Sequence, residues 1–142
     1  MTNAAFVCFY NRNQIYMQLR SDGTFGFPGG KAEPEDGSLF NTANRECQEE
    51  AGRSIPLEGT EYFCEHQVRP DLTVHLFTRA VTASELDSLV RGTLMASHAE
   101  ESLGGAVFTV NDAFKEHVRS GRIPMIRGVV LEMEELFSKV FK

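Results

Sequence analysis

A mixed α+β fold, with helices packed on a β-sheet, is what this sequence predicts, and three observations predict it. Apolar runs of strand length recur from the N-terminus to the last third of the chain; capped segments of helical periodicity alternate with them; and a Gly-rich stretch leads directly into the first long helix. The 142 residues, 42% hydrophobic and 24% charged, are enough for one domain, spanning 1–142, with its own core.

The elements follow in order. Residues 4–10 and 14–20 are strands around the polar turn Asn11-Arg12-Asn13. Ser38 is an N-cap and Gly52 a C-terminal stop for a helix over Leu39–Ala51. Residues 62–69 and 72–81 form a second strand pair around Pro70-Asp71. Ser84 and Asp87 read as an acidic capping box for a short helix ending before Gly92. A short strand covers 106–110, and Asn111 caps a helix stopped by Gly121. From Ile126 onward, Val129, Val130, Met133, Leu136, Phe137 and Val140 recur at helical spacing, with Glu132, Glu134 and Glu135 read as its solvated face and one of them, alternatively, as a further metal ligand.

Composition excludes several classes. A net charge of -6 argues against a broad electrostatic grip on nucleic acid. Cys8, Cys47 and Cys64 form no Cys-x-x-Cys pair and read as reduced thiols, and residues 4–10 are too short for a bilayer span. The expected setting is cytoplasmic, with no membrane partner.

Within the first long helix, Glu46, Glu49 and Glu50 stand at i, i+3 and i+4, on one face beside the apolar stripe of Phe40, Ala43, Cys47 and Ala51. Like charges at this spacing repel, and a hard divalent cation relieves them. Upstream, Gly26-Phe27-Pro28-Gly29-Gly30-Lys31 can bring backbone close to a metal or a phosphate. Taken alone, the cluster also fits a solvated acidic face.

Together with Arg45-Glu46-Cys47-Gln48-Glu49-Glu50-Ala51-Gly52, this segment resembles the Nudix hydrolase signature, G-x(5)-E-x(7)-R-E-U-x-E-E-x-G-U. Its R, E, E, E and G recur by chance in such a chain on the order of once in ten thousand. Several positions depart from it. Gly37 stands at the upstream Glu, with Asp36 one place earlier; Cys47 occupies the first U; Arg53 replaces the last. Asp36 or Glu35 is therefore expected to hold Arg45. Residues 17–20, 22–23, 26–30 and 36–39, with His66, His98 and Glu101 further on, are similar to the snoRNA-decapping and inosine-diphosphatase branch, which shares the one-residue shift.

The resemblance implies a Nudix-type α/β/α sandwich with a mixed β-sheet and a catalytic helix following the Gly-rich loop. It implies Mg²⁺ or Mn²⁺ held by Glu46 and Glu50 with the Gly29 carbonyl, Glu49 as further ligand or base, and His66 beside the metal and phosphates. Arg20 meets phosphate or base and Phe27 lines the nucleoside pocket. The branch has a His on the first strand where this chain has Phe6, which can stack on a base without reading it. Glu101 is the alternative base. The activity implied is hydrolysis of the diphosphate linkage of a nucleoside diphosphate joined to a moiety X, with a small-molecule nucleotide as substrate. Alternatives are capped RNA cleaved by the same chemistry and a non-catalytic Nudix-fold binding module. Homodimers are common among such proteins.

Overall fold

The computed structural model describes residues 1–56, 58–94 and 102–142. Strand β1 (Thr2–Asn11) organises the sheet. It turns through Arg12, at φ +54°, into β2 (Gln14–Arg20), with Tyr10 opposite Ile15 and Asn11 opposite Gln14. Its other edge pairs in parallel with β6 (Leu72–Ala80), from Thr2 opposite Leu72 to Tyr10 opposite Ala80. Two short strands of the Gly-rich stretch complete the middle: β3 (Phe25–Gly26) lies on β2, and β4 (Gly29–Lys31) lies on β1 with Gly29 opposite Phe6. β5 (Thr60–Arg69) pairs antiparallel with β6, and β7 (Ser102–Thr109) pairs antiparallel with β2. One mixed seven-stranded sheet results.

Alternation along the strands sends side chains to two cores. Ala5, Val7, Phe9 and Tyr16 face α1 (Leu39–Ala51) and α2 (Ala83–Leu94), packing with Ala43, Cys47, Leu86 and Leu89. Cys8, Ile15, Met17 and Leu76 face α3 (Asp112–Ser120) and α4 (Arg127–Lys139), packing with Phe114, Val118, Met133 and Leu136. The architecture is an α/β/α sandwich, as the sequence implies. Among the described residues no helix is long and apolar enough to cross a membrane.

Two expectations are corrected. The cap of α2 is Thr82, whose hydroxyl accepts the Glu85 N–H at 3.1 Å while its own N–H reaches Glu85 Oε1 at 3.3 Å; the capping box lies two residues before Ser84 and Asp87. Nor does Gly92 stop that helix, which continues to Leu94. A Cβ at Gly92 would run into the Ala51 carbonyl, so this glycine lets α1 and α2 meet closely. The two-residue and three-residue strands β3 and β4 carry too little pattern to be read as strands.

Candidate functional site

The site begins with the capping of α1. Ser38 Oγ accepts the Asn41 N–H at 3.1 Å, and Gly52, at φ +70°, closes the other end. With the register so fixed, Thr42, Ala43, Cys47 and Ala51 pack inward, and Glu50 goes in with them at 5% exposure. Glu50 Oε1 accepts the Gly29 N–H at 2.8 Å, tying helix to β4. The side chains of Glu46 and Glu49 lie further out, 15% and 31% exposed.

Both glycines of β4 are required by contact. A Cβ at Gly29 would run into the Ala5 carbonyl and Phe6, and one at Gly30 would lie 2.6 Å from the Glu46 carboxyl carbon. The backbone therefore passes against the carboxylates where any side chain would displace them.

Arg45 holds the acidic face together. Its Nε donates to Asp36 Oδ1 at 2.8 Å and its Nη2 to Asp36 Oδ2 at 3.1 Å, while Nη1 donates to Glu46 Oε1 at 3.0 Å and lies 3.6 Å from Glu49 Oε2. Asp36 Oδ2 also accepts the Glu33 N–H at 2.9 Å and the Thr42 hydroxyl at 2.8 Å. Of the two carboxylates expected to brace Arg45, Asp36 does so. Gly37 follows it at φ +78° and turns the chain toward Ser38 and the helix. The Arg45 guanidinium, the Glu33 N–H and the Thr42 hydroxyl hold the Asp36 carboxyl well below the usual carboxylate range.

A cavity of about 750 Å³ opens where β1 and β2 part. Gly29, Gly30, Glu46 and Glu50 line it together with Arg20 and Phe6, and its wall also includes Val74, Ile126, Val129 and Glu132. Of the expected site residues, Glu46, Glu50, Gly29, Arg20 and Phe6 are thus brought together.

The others are not. Glu49 stays on the outer flank of the helix. His66 sits half-buried on β5, its Nε2 without a partner among the described residues; its register neighbour Val74 lines the cavity, and His66 does not. Phe27 is a correction: at 2% exposure it packs in the core with Ile15 and Met17 and lines no part of the cavity. Glu101 and His98 lie outside the described residues. Among those described, no three His, Cys, Asp or Glu side chains stand close enough together to hold a metal ion by themselves.

One cavity residue runs against the sequence reading. Glu134 and Glu135 are exposed or half-buried partners of Arg119 and Lys139, each at 2.7 Å, as a solvated helix face requires. Glu132 instead is 1% exposed, with Oε2 unpartnered among the described residues, and burial pushes its carboxyl up to about 8. The signal was present: Val129, Glu132 and Leu136 share the i, i+3, i+7 stripe that faces the core.

A family model described as Nudt16-like, U8 snoRNA-decapping enzyme-like, matches residues 1–117. The U8 snoRNA-decapping enzyme of Bos taurus is 37% identical over 98 residues, which cover 66% of this chain and 50% of that protein, and the Mus musculus enzyme is 33% identical over the same shares. The chain thus spans about half the length of these relatives. A MutT/nudix family protein from Enterococcus faecalis superimposes with a TM-score of 0.60 at 16% identity, covering 76% of this chain and 43% of that one, a likeness of fold alone.

Proposed function

The chain belongs to the Nudix hydrolase family, in its Nudt16-like group, and from that premise we propose that it hydrolyses the diphosphate linkage of a nucleoside diphosphate joined to a second moiety. The observation that carries this reading is the meeting of Glu46, Glu50, Gly29, Gly30 and Arg20 around one cavity.

The donor set fits a hard divalent cation, because two carboxylates of one helix face a backbone segment in which a Cβ at Gly30 would occupy the space beside Glu46. Glu46 and Glu50, with the Gly29 carbonyl, would hold Mg²⁺ or Mn²⁺. Such an ion, when bound, neutralises phosphate oxygens and acidifies water.

The remaining work belongs to the chain's own side chains. Arg20 presents a rigid donor fork to a phosphate oxygen. Arg45, braced by Asp36, fixes the directions of Glu46 and Glu49. Glu49, 31% exposed, is open to solvent and takes the proton from attacking water, with Glu101 the alternative base. Phe6 offers a ring face to a base. Positioning and charge neutralisation suffice for transfer to water, without a covalent intermediate. Capped RNA is the second reading, favoured by the names of the matched relatives; a few residues can grip a cap, so a net charge of -6 does not forbid it. The three free thiols suit a reducing cytosol.

The test is product release from nucleoside di- and triphosphates, ADP-ribose, dinucleoside polyphosphates and capped RNA, with Mg²⁺ or Mn²⁺. Cleavage that depends on metal and falls at least about a hundredfold in Glu50→Gln is expected. Undiminished hydrolysis in that variant would sink the proposal. Tight, metal-independent nucleotide binding with no product would replace it with a binding module.

A further inference from the structure

Arg69 is a cation of the cavity wall that the proposed chemistry leaves unused. It ends β5 and lines the cavity beside Val68 and Leu72. Alternation along the strand does not put it there. Residues directly opposite one another in an antiparallel pair share a face of the sheet. His66 lies opposite Val74, which lines the cavity, and Gln67 lies opposite Thr73 on the other face; two residues on, Arg69 would follow Gln67. The register shifts between Gln67 and Arg69, however. Val68 is the extra residue of a β-bulge, and Arg69 comes to lie opposite Leu72, on the face of Val74. The bulge thus turns a guanidinium into the cavity.

That guanidinium is also oriented. Its Nε donates to Asp71 Oδ1 at 2.9 Å, while Nη1 and Nη2 make no hydrogen bond among the described residues. An exposed pair of this kind contributes little to stability, so its consequence is direction: with Nε committed, the two Nη groups form a donor fork, on a side chain 54% exposed to an incoming ligand.

The position of Arg69 decides what the fork can meet. The carboxylates of α1 stand against Gly29 and Gly30 of β4. From β4 through β1 and β6 to β5 is three strand spacings, about 14 Å, and Arg69 stands three residues, about 10 Å, further along the sheet than Gly30. One arginine side chain does not span that separation, yet a single cavity of about 750 Å³ takes in both places. The anion at Arg69 is therefore a different group from the diphosphate at β4, on the same ligand.

Resting on the nucleotide-hydrolase reading, we propose that Arg69 is a substrate-binding residue for a second phosphate, remote from the linkage that is cleaved, and that the preferred substrates carry one. In a nucleotide such a phosphate is a monoester on a ribose or a phosphodiester of an oligonucleotide, and either presents two oxygens to Nη1 and Nη2.

The test is calorimetric binding at neutral pH and low salt in EDTA, so that neither metal nor turnover enters. Three pairs of probes are compared: NADH with NADPH, dephospho-coenzyme A with coenzyme A, and a cap dinucleotide with the same cap extended by one nucleotide. The first two pairs report a ribose phosphate and the third a phosphodiester. In at least one pair the wild-type chain is expected to bind the more phosphorylated member about fivefold more tightly, with the preference shrinking as salt is raised. Arg69→Ala loses the preference, and Arg69→Lys, which keeps the charge without the fork, retains a part of it. No preference in any pair, or one that survives in Arg69→Ala, would overturn the proposal. Metal-dependent hydrolysis abolished by Glu50→Gln would stand in that case, whereas an Arg69-dependent preference without any hydrolysis would remove the hydrolase reading and leave Arg69 as a binding residue, so the two readings fail separately.

Discussion

At the scale of single residues, Asp36 and Glu132 are carboxylates with opposite surroundings. Asp36 accepts from Arg45, Glu33 and Thr42 and is held in its charged form; Glu132 lies among apolar side chains and is held neutral. A carboxyl whose folded pKa lies below its unfolded value, about 3.9 for Asp, stabilises the fold above that value and loses its contribution as pH falls through the folded one. Asp36→Ala removes the bidentate partner of a half-buried guanidinium, at a cost of about 2 kcal/mol, which lowers Tm by roughly 4–8 °C in a chain of this size. Denaturant melts of both chains from pH 7 to pH 2 check the sign: the gap is expected to hold from pH 7 to about 5 and to narrow below about 4. A gap that widened in acid would contradict the brace. That Arg45 needed a carboxylate was legible in the sequence from its signature. That Asp36 rather than Glu35 supplies it was not, because the choice depends on the turn at Gly37.

At the scale of elements, β4 is a strand of only three residues whose two glycines do different work. A methyl group at Gly29 meets the Ala5 carbonyl, part of the sheet, and has nowhere to go; one at Gly30 meets the end of the Glu46 side chain, which can swing away. Gly29→Ala should therefore lower Tm by roughly 5 °C or more, through strain at φ +154° and loosened pairing with β1. Gly30→Ala should melt within about 3 °C of the parent yet lose about a hundredfold in hydrolysis as Glu46 is displaced. Thermal melts and metal-dependent turnover on the two variants separate these effects, and equal loss of both properties in both variants would refute the division. Helix α1 was legible to the residue, because Ser38 and Gly52 are local signals, and the hairpins followed from Asn11-Arg12-Asn13 and Pro70-Asp71. What escaped were contacts between distant segments. Gly92 read as a stop because nothing local shows that Ala51 lies against it, and Thr82 was passed over for Ser84 because both can cap.

At the scale of the whole molecule, the sheet is a wall shared by two cores, and a strand between two helical layers gives side chains to both. Along β1, Ala5, Val7 and Phe9 belong to one core and Cys8 to the other. The same topology explains the site: parting β1 from β2 leaves a cavity that takes carboxylates from α1 on one side and Glu132 from α4 on the other. The sequence announced the first contribution through its signature. The second was hidden, because the spacing that puts Glu132 on the apolar stripe cannot tell a buried carboxyl from a solvated one until α4 is packed against β5. If the shared strands couple the two layers, neither can open alone, and unfolding exposes both at once. Two natural reporters test this. Cys8 lies in the core under α3 and α4 and Cys47 in the core under α1 and α2, both at 0% exposure with thiols pushed far up by burial, and so unreactive while the fold is closed. Alkylation in increasing urea, read by mass spectrometry at each cysteine, is expected to give the same midpoint for Cys8 and Cys47, coincident with loss of far-UV dichroism. Labelling of one at a urea concentration that leaves the other protected would show that one layer opens alone, and that β1 does not couple the carboxylates of α1 to the wall formed by α4.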